Sequence, residues 1–176
     1  MKARAPKLCV GVGNVLRRDD GVGVRAAEIL AGMPLPPQVE VYEAGTAALG
    51  LTSVIEGREK VVGIDAMHAG ARPGAVFRLT PAHLRACFHA GLSLHEVHFL
   101  DALEETLLLG TPPREVVILA VQVGDVSTGI GLSPAVERAV DRVVELALHE
   151  LGLPNTAGGA CATCGELCLG RRTPWK

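Results

Sequence analysis

Residues 7–23 of the chain read KLCVGVGNVLRRDDGVG. The stretch begins with apolar residues that do not alternate with polar ones, which is typical of a β-strand buried on both faces, here at residues 7–13. It then passes through glycines and two aspartates into an apolar pattern with helical spacing, formed by Val22, Ala26, Ile29, Leu30 and Met33. A buried strand followed by an amphipathic helix predicts an α/β protein.

The same alternation continues along most of the chain. Further strands are predicted at 39–42, 60–65, 75–79 and 116–121, and further helices at 47–55, 93–109 and 133–151. The strand at 75–79 is expected to pair antiparallel because no crossover helix precedes it, and the strand at 116–121, the most apolar, is expected at the sheet centre. Ser133 is predicted to cap the last helix, with Pro134 at its first position. The order β-α-β-α-β-β-α-β-α indicates a three-layer α/β domain.

Composition narrows the class of protein. The 176 residues are 48% hydrophobic and 20% charged, with a net charge of −2. This length and composition fit one globular domain, which is predicted at residues 1–154 and is followed by a Gly- and Cys-rich tail at 155–176. The absence of a basic excess argues against nucleic-acid binding. Apolar stretches are too short to span a bilayer and no cleavable leader is recognised, so we expect a cytoplasmic protein with reduced cysteines.

Three residues are predicted to meet at one edge of the sheet. Asp20 follows the first strand, Asp65 ends the third, and His95 begins the third helix. Ligands of open α/β sheets bind outside the carboxyl ends of the strands, and right-handed crossovers place all three residues there. Two carboxylates and an imidazole, held neutral by the helix N-terminus, suit a first-row divalent metal ion. The sequence therefore predicts a metal-facing site.

The same residues and their neighbours also have other interpretations. Taken singly, Asp19 and Asp20 could favour a helix N-terminus, Asp65 could cap a turn, and His95 could be a solvent-exposed side chain. A dinucleotide fingerprint fails because Leu16 stands where its third glycine is required. The pair His95 and His98 has the wrong spacing for a zincin helix, and Cys87, with a histidine at 83 or 89, lacks an orienting third group and is interpreted as a packing residue.

Several motifs, in order along the chain, resemble one family. They are the opening segment 11–23, Glu43-Ala44-Gly45-Thr46, Ile64-Asp65-Ala66, Ser93-x-His95 with Asp101-Ala102-Leu103, and Gly131-Leu132-Ser133-Pro134-x-Val136. Together they resemble the hydrogenase maturation proteases, endopeptidases that trim the C-terminal extension of the nickel–iron hydrogenase large subunit. The resemblance covers nearly all of residues 7–152 and implies a three-layer α/β/α sandwich with a mainly parallel five-stranded sheet, one strand antiparallel.

The resemblance also implies a site and a substrate. The family's metal-contacting and catalytic positions fall on Asp20, Asp65 and His95, and Gly45 and Thr46 are expected to contact the substrate. The metal is nickel already inserted in the precursor, no nucleotide is involved, and the cut follows a His or Arg. We expect a monomeric enzyme whose partner is the large-subunit precursor. Which of the two carboxylates acts as general base is left open.

A second class of function remains open. Cys161, Cys164 and Cys168 lie in the tail and are not part of the family pattern. Three thiolates are an incomplete zinc or nickel ligand set, so a reduced tail without metal is the expectation. The alternative function is a non-enzymatic nickel-binding accessory chaperone that uses the same three ligands together with this tail.

Overall fold

The computed structural model of the chain describes residues 4–46, 50–83 and 97–154. Its strands are β1 (Lys7–Val12), β2 (Val39–Gly45), β3 (Lys60–Met67), β4 (Val76–Leu79) and β5 (Glu115–Gln122). Its main helices are α1 (Val22–Ala31), α2 (Leu51–Ile55), α3 (Val97–Leu108) and α4 (Pro134–Glu150), and a short 3-10 turn at Arg18–Gly21 precedes α1. The predicted order of strands and helices is confirmed. The predicted starts of the second and third helices and the tail at 155–176 lie outside the described residues.

The strands form one mixed sheet in the order β2-β1-β3-β5-β4. The first three neighbouring pairs are parallel, and β4 pairs antiparallel with β5, as predicted. The expectation that 116–121 forms the central strand is wrong in detail, because β3 occupies the middle of the sheet and β5 lies one place further out. The antiparallel β4 covers the outer side of β5 and keeps that apolar strand away from the sheet edge.

Helices cover both faces of the sheet, which confirms the three-layer architecture. Alternate residues of β1 point to opposite faces: Cys9 belongs to the core beneath α1 and α4, whereas Leu8 and Val10 belong to the core beneath α2 and α3. Cys9 is fully buried and packs as a small apolar side chain of this core. The apolar stripe of α4 is likewise buried at Val136, Val140, Val143, Val144, Ala147, Leu148 and Leu151.

Two glycines allow α1 to lie directly on the sheet. A Cβ atom at Gly11 would lie 2.3 Å from the carbonyl oxygen of Gly23, and one at Gly23 would lie 2.2 Å from the carbonyl oxygen of Val12. Such distances are far below van der Waals contact, so neither position accepts a side chain without moving the backbone. The glycine spacing after β1 thus has a packing cause at the strand–helix junction.

One further property concerns membranes. Among the described residues, no helix combines the length and the apolar character that crossing a bilayer requires.

Candidate active site

Asp20 is positioned by the tight turn that follows β1. The N–H of Asn14 donates to the carbonyl oxygen of Asp20, and the N–H of Asp20 donates to the carbonyl oxygen of Arg17, both at 3.1 Å. Gly13 is required here because its φ is +141° and an added Cβ would lie 1.9 Å from the Asp20 carbonyl oxygen. The turn buries Asp20, which is 2% exposed. The first predicted site residue is therefore an acid held inside the protein.

Asp65 lies on β3, the central strand. It was expected to be the last residue of its strand, but β3 continues to Met67 because its pairing with β5 extends that far. The residue is buried, and its Oδ1 accepts a hydrogen bond from the N–H of Ala66 at 2.7 Å. Its Oδ2 is also buried and accepts no hydrogen bond from the described residues. A buried carboxylate oxygen in this state is costly unless a ligand or proton satisfies it.

The two acids influence each other. The pKa of Asp65 is raised to about 7: burial raises it most, the Ala66 N–H acts in the opposite direction, and the negative charge of Asp20 adds a smaller increase. The 3-10 turn that carries Asp20 also packs against β3. The structure therefore brings together Asp20 and Asp65, residues 45 positions apart in the sequence, at the carboxyl ends of neighbouring strands. Paired buried carboxylates are a typical arrangement for binding a divalent cation or moving a proton.

Asp19, next to Asp20, is not part of this pair. Its carboxylate accepts hydrogen bonds from the N–H groups of Gly124 (2.8 Å), Asp125 (2.9 Å) and Ser133 (2.6 Å), and from the Ser133 hydroxyl (2.9 Å). Burial works to raise the pKa of Asp19, but these donors together hold it below the ordinary value. Asp19 therefore joins the turn before α1 to the loop before α4. Sequence reasoning missed this role, because its donors lie more than a hundred residues away.

Ser133 precedes α4 as predicted, but it does not cap that helix with its side chain. Its hydroxyl donates to Asp19 instead. The predicted N-cap position of Ser133, with Pro134 in the first turn of the helix, is confirmed, but the Ser133 side chain makes no capping hydrogen bond. The cause is tertiary: the hydroxyl is directed towards the Asp19 carboxylate, to which it donates, and not towards the N–H groups of the helix end from which a capping oxygen accepts.

Gly45 and Thr46, the expected substrate contacts, lie beside the same edge. The carbonyl oxygen of Gly45 accepts a hydrogen bond from the N–H of Gly13 at 3.0 Å. Gly45 has a φ of +55°, and an added Cβ there would meet no atom within 4 Å. Thr46 is exposed. The end of β2 therefore presents accessible backbone next to the loop that leads to Asp20, although the contact with substrate itself stays a prediction.

The third predicted ligand, His95, lies outside the described residues, as do the three tail cysteines. Within the described residues, no group of three or more His, Cys, Asp or Glu side chains is placed to hold a metal ion. Asp20 and Asp65 are thus the two members of the predicted trio that this part of the chain brings together. The thiol–imidazole pair that the sequence argued against has one member among the described residues. His83 is exposed, and its Nδ1 accepts a hydrogen bond from the N–H of Thr80 at 3.3 Å, whereas Cys87 lies outside the described residues.

Comparison with known proteins shows the family. The family model described as hydrogenase maturation protease matches residues 24–150. The chain is 32% identical over 157 residues to the hydrogenase expression/formation protein HupD of Rhodobacter capsulatus, an alignment that covers 86% of this chain and 75% of that protein. It is 30% identical over 146 residues to the hydrogenase 2 maturation protease of Escherichia coli K12, covering 82% and 89%.

The fold agrees with solved structures of the same kind. The hydrogenase maturating endopeptidase HybD from E. coli superimposes with a TM-score of 0.75 at 30% sequence identity, covering 83% of this chain and 93% of that one. The chain belongs to the hydrogenase maturation protease family, and it is accordingly a hydrolase of the endopeptidase type. The resemblance drawn from the ordered motifs is confirmed.

Proposed function

We propose that this protein removes the C-terminal extension of a nickel–iron hydrogenase large-subunit precursor after nickel has been inserted. The cut follows a His or Arg residue, and the nickel is cargo carried by the substrate. The protein acts as a monomer in the cytoplasm. Family membership supports the endopeptidase activity, and the relatives' names connect that activity with hydrogenase maturation.

The observation that carries the proposal is the buried acid pair. Asp65 has a buried oxygen that accepts no hydrogen bond from the described residues, and the charge of Asp20 makes its ionisation still harder. A cation delivered to this edge would relieve both penalties, since carboxylate oxygens are good ligands for a divalent ion. The pair is thus suited to a site that is completed only when the substrate brings its metal. His95 is proposed as the third ligand.

The reaction is hydrolysis of one peptide bond. Asp20 and Asp65 contact the nickel in the precursor and so fix the scissile peptide beside the metal. The metal then polarises the carbonyl group of that peptide. Water adds its oxygen to the carbonyl carbon while a carboxylate accepts a proton. The C–N bond then breaks, the leaving nitrogen takes a proton, and the mature subunit gains a C-terminal carboxylate. Gly45 and Thr46 are proposed to hold the departing extension through the accessible end of β2.

The free enzyme is expected to hold nickel only weakly. Two carboxylates and one imidazole contain no thiolate, and an open site with few ligands does not retain a soft or borderline metal against competitors. Weak binding of free nickel makes the reaction selective, because the site is completed only by nickel that the precursor carries. A precursor without nickel is not bound at the acid pair and is not cut. The protease would therefore cleave the peptide bond, an irreversible step, only in a precursor that already contains nickel.

Cleavage of purified precursor, with and without nickel, tests the proposal. We expect a mobility shift on a gel only with nickel-loaded precursor, and we expect Asp65→Asn to lower the rate about a thousandfold while the protein stays folded. Asp141→Asn is the matched control, since it makes the same change at an exposed position of α4.

Two outcomes would contradict this function. Full activity of Asp65→Asn removes that residue from the mechanism. A precursor that stays uncut by the wild-type enzyme, together with stoichiometric nickel binding by the free protein, supports the chaperone instead. Equal cleavage of nickel-free and nickel-loaded precursor would remove the metal from recognition.

A further inference from the structure

Three large apolar side chains are exposed on the two loops that adjoin the turn carrying Asp20. Val15 and Leu16 lie on the loop that leads to Asp20 and are 47% and 59% exposed, and Ile130 is 84% exposed. Single exposed apolar residues are common on protein surfaces and require no explanation. A group of them that borders a site is different, because such patches mark surfaces that bind another molecule.

The backbone holds these residues side by side. The N–H of Gly129 donates to the carbonyl oxygen of Leu16 at 2.9 Å, and the N–H of Arg18 donates to the carbonyl oxygen of Gly129 at 3.1 Å. Arg17 and Gly129 also form a parallel bridge. Leu16 and Ile130, more than a hundred residues apart in the sequence, are therefore neighbours on two loops that are locked together.

The patch is also presented in a fixed arrangement. Asp19, three residues after Leu16, binds the loop at Gly124 and Asp125 and the start of α4 at Ser133. A surface ordered in advance loses less conformational entropy when it binds, so its apolar area contributes more to affinity. The same network that positions Asp20 thus fixes the geometry between Asp20 and the patch.

We propose that Val15, Leu16 and Ile130 form a docking surface for an apolar segment of the hydrogenase large-subunit precursor. This inference rests on the proposed function. The N–H of Asp20 donates to the carbonyl oxygen of Arg17, the residue that follows Leu16, so the docking surface is continuous with the site that the precursor must reach. The partner is the body of the precursor, which carries the scissile bond and the nickel to the acid pair.

A second exposed apolar group provides the control. Leu107, Leu108 and Leu109 are 53%, 88% and 60% exposed at the end of α3. They lie near the amino ends of the strands, opposite the carboxyl ends where the acid pair lies. The N–H of Gly57, just before β3 begins, donates to the carbonyl oxygen of Thr111 at 2.8 Å. Leu108 is thus a leucine of greater exposure that lies far from the acid pair.

The experiment measures initial cleavage rates of nickel-loaded precursor at increasing precursor concentration, with the full chain. Leu16→Ser, and the double variant Leu16→Ser/Ile130→Ser, are expected to raise KM about tenfold or more, with the effect on KM rather than kcat, as for truncation of a central interface side chain. Leu16→Met keeps an apolar side chain and is expected to restore most of the affinity. Leu108→Ser is expected to leave KM unchanged. Thermal unfolding checks that every variant is folded.

Each outcome decides between explanations. An unchanged KM in the double variant, or an equal rise in Leu108→Ser, overturns the docking surface while the wild-type enzyme still cuts, so the proposed function survives. Light scattering that shows a wild-type dimer converted to a monomer by Leu16→Ser overturns it in favour of self-association. Failure of the wild-type chain both to bind and to cut the precursor overturns the proposed function itself.

Discussion

Asp19 and Asp20 are consecutive in the sequence, are both buried, and have opposite roles. The Asp19 carboxylate accepts four hydrogen bonds, from Gly124, Asp125 and Ser133. Asp20 instead adds its negative charge to that of Asp65, whose ionisation burial already disfavours. One carboxylate stabilises the junction between two loops, and the other contributes to a site that is electrostatically incomplete. The difference shows that neighbouring acids of the same type have different environments when the backbone turn directs them to different parts of the structure.

The two regions also depend on each other. An acid pair in a low-dielectric environment is unfavourable, and proteins keep such a site only where the surrounding structure holds it in place. Asp19 provides that support, because its hydrogen bonds join the turn at Arg18–Gly21 to the loop before α4. Changes of pH and substitutions at these positions are expected to separate the two roles.

The first prediction concerns pH. The pKa of Asp65 is about 7 in the folded chain, against 3.8 as the ordinary value, so the unfolded chain loses this proton first as the pH rises. The free energy of unfolding of the metal-free protein should therefore fall between about pH 4 and pH 7, by up to about 4 kcal/mol, and then level off. Asp65→Asn should abolish this fall and be more stable than wild type at pH 8, measured by urea denaturation.

Asp19 should contribute the opposite dependence. Its folded pKa lies below 3.8, so its stabilisation is present above about pH 4 and is lost as the pH falls through the folded value. Asp141→Asn, at an exposed position, is the control and should keep the wild-type profile. A wild-type stability that does not change from pH 4 to pH 7 would show that Asp65 is not held protonated by its surroundings.

The second prediction removes the junction. Both carboxylate oxygens of Asp19 accept hydrogen bonds, whereas the Asp19→Asn side chain has a single acceptor oxygen. Its NH2 group would lie against N–H donors and could not accept from them. We expect a loss of about 3 kcal/mol in the free energy of unfolding, since hydrogen bonds to a charged group are replaced and partly buried donors lose their acceptor. Cleavage should fall as well, because the turn that positions Asp20 is released.

Ser133→Ala is expected to lower the free energy of unfolding through the same junction, but by less. It removes the hydroxyl donor and leaves the backbone N–H bond to Asp19 in place, so a loss of about 1 kcal/mol is expected. Both variants are compared in urea denaturation at pH 7.5. If Asp19→Asn unfolds at the wild-type urea concentration, the hydrogen bonds of Asp19 do not stabilise the junction and the comparison with Asp20 fails.

The last prediction has the smallest expected effect. A chain that ends at Leu153 lacks Cys161, Cys164 and Cys168 but keeps Asp19, and it should cleave nickel-loaded precursor at the wild-type rate. Substitution of the three cysteines by serine in the full chain is the matched control, because it separates the thiols from the length of the tail. Loss of cleavage in both proteins would give the cysteines a part in the reaction.

Much of the fold could be predicted from local patterns. The apolar run of β5 and the stripe on α4 indicated buried elements correctly, because burial follows from residue type and spacing. The position of β5 beside the central strand was not predictable, since strand order depends on how the crossovers wind. Asp20 and Asp65 were selected as candidate site residues by the strand-end rule, and the structure brings these two acids together, whereas their role as metal ligands stays a prediction.

The order of strands and helices, the family, and the selection of Asp20 and Asp65 near the carboxyl ends of neighbouring strands could be obtained from the sequence, because these follow from periodicity and from ordered motifs. Tertiary contacts were needed to show that Asp19 joins two loops while the charge of Asp20 acts on Asp65, and that the loops carrying Leu16 and Ile130 are hydrogen-bonded to each other. The physical reason is that hydrogen-bond partners and desolvation come from residues distant in the sequence. A side chain's type shows what it is able to bind, whereas its surroundings in the folded chain determine what it does bind.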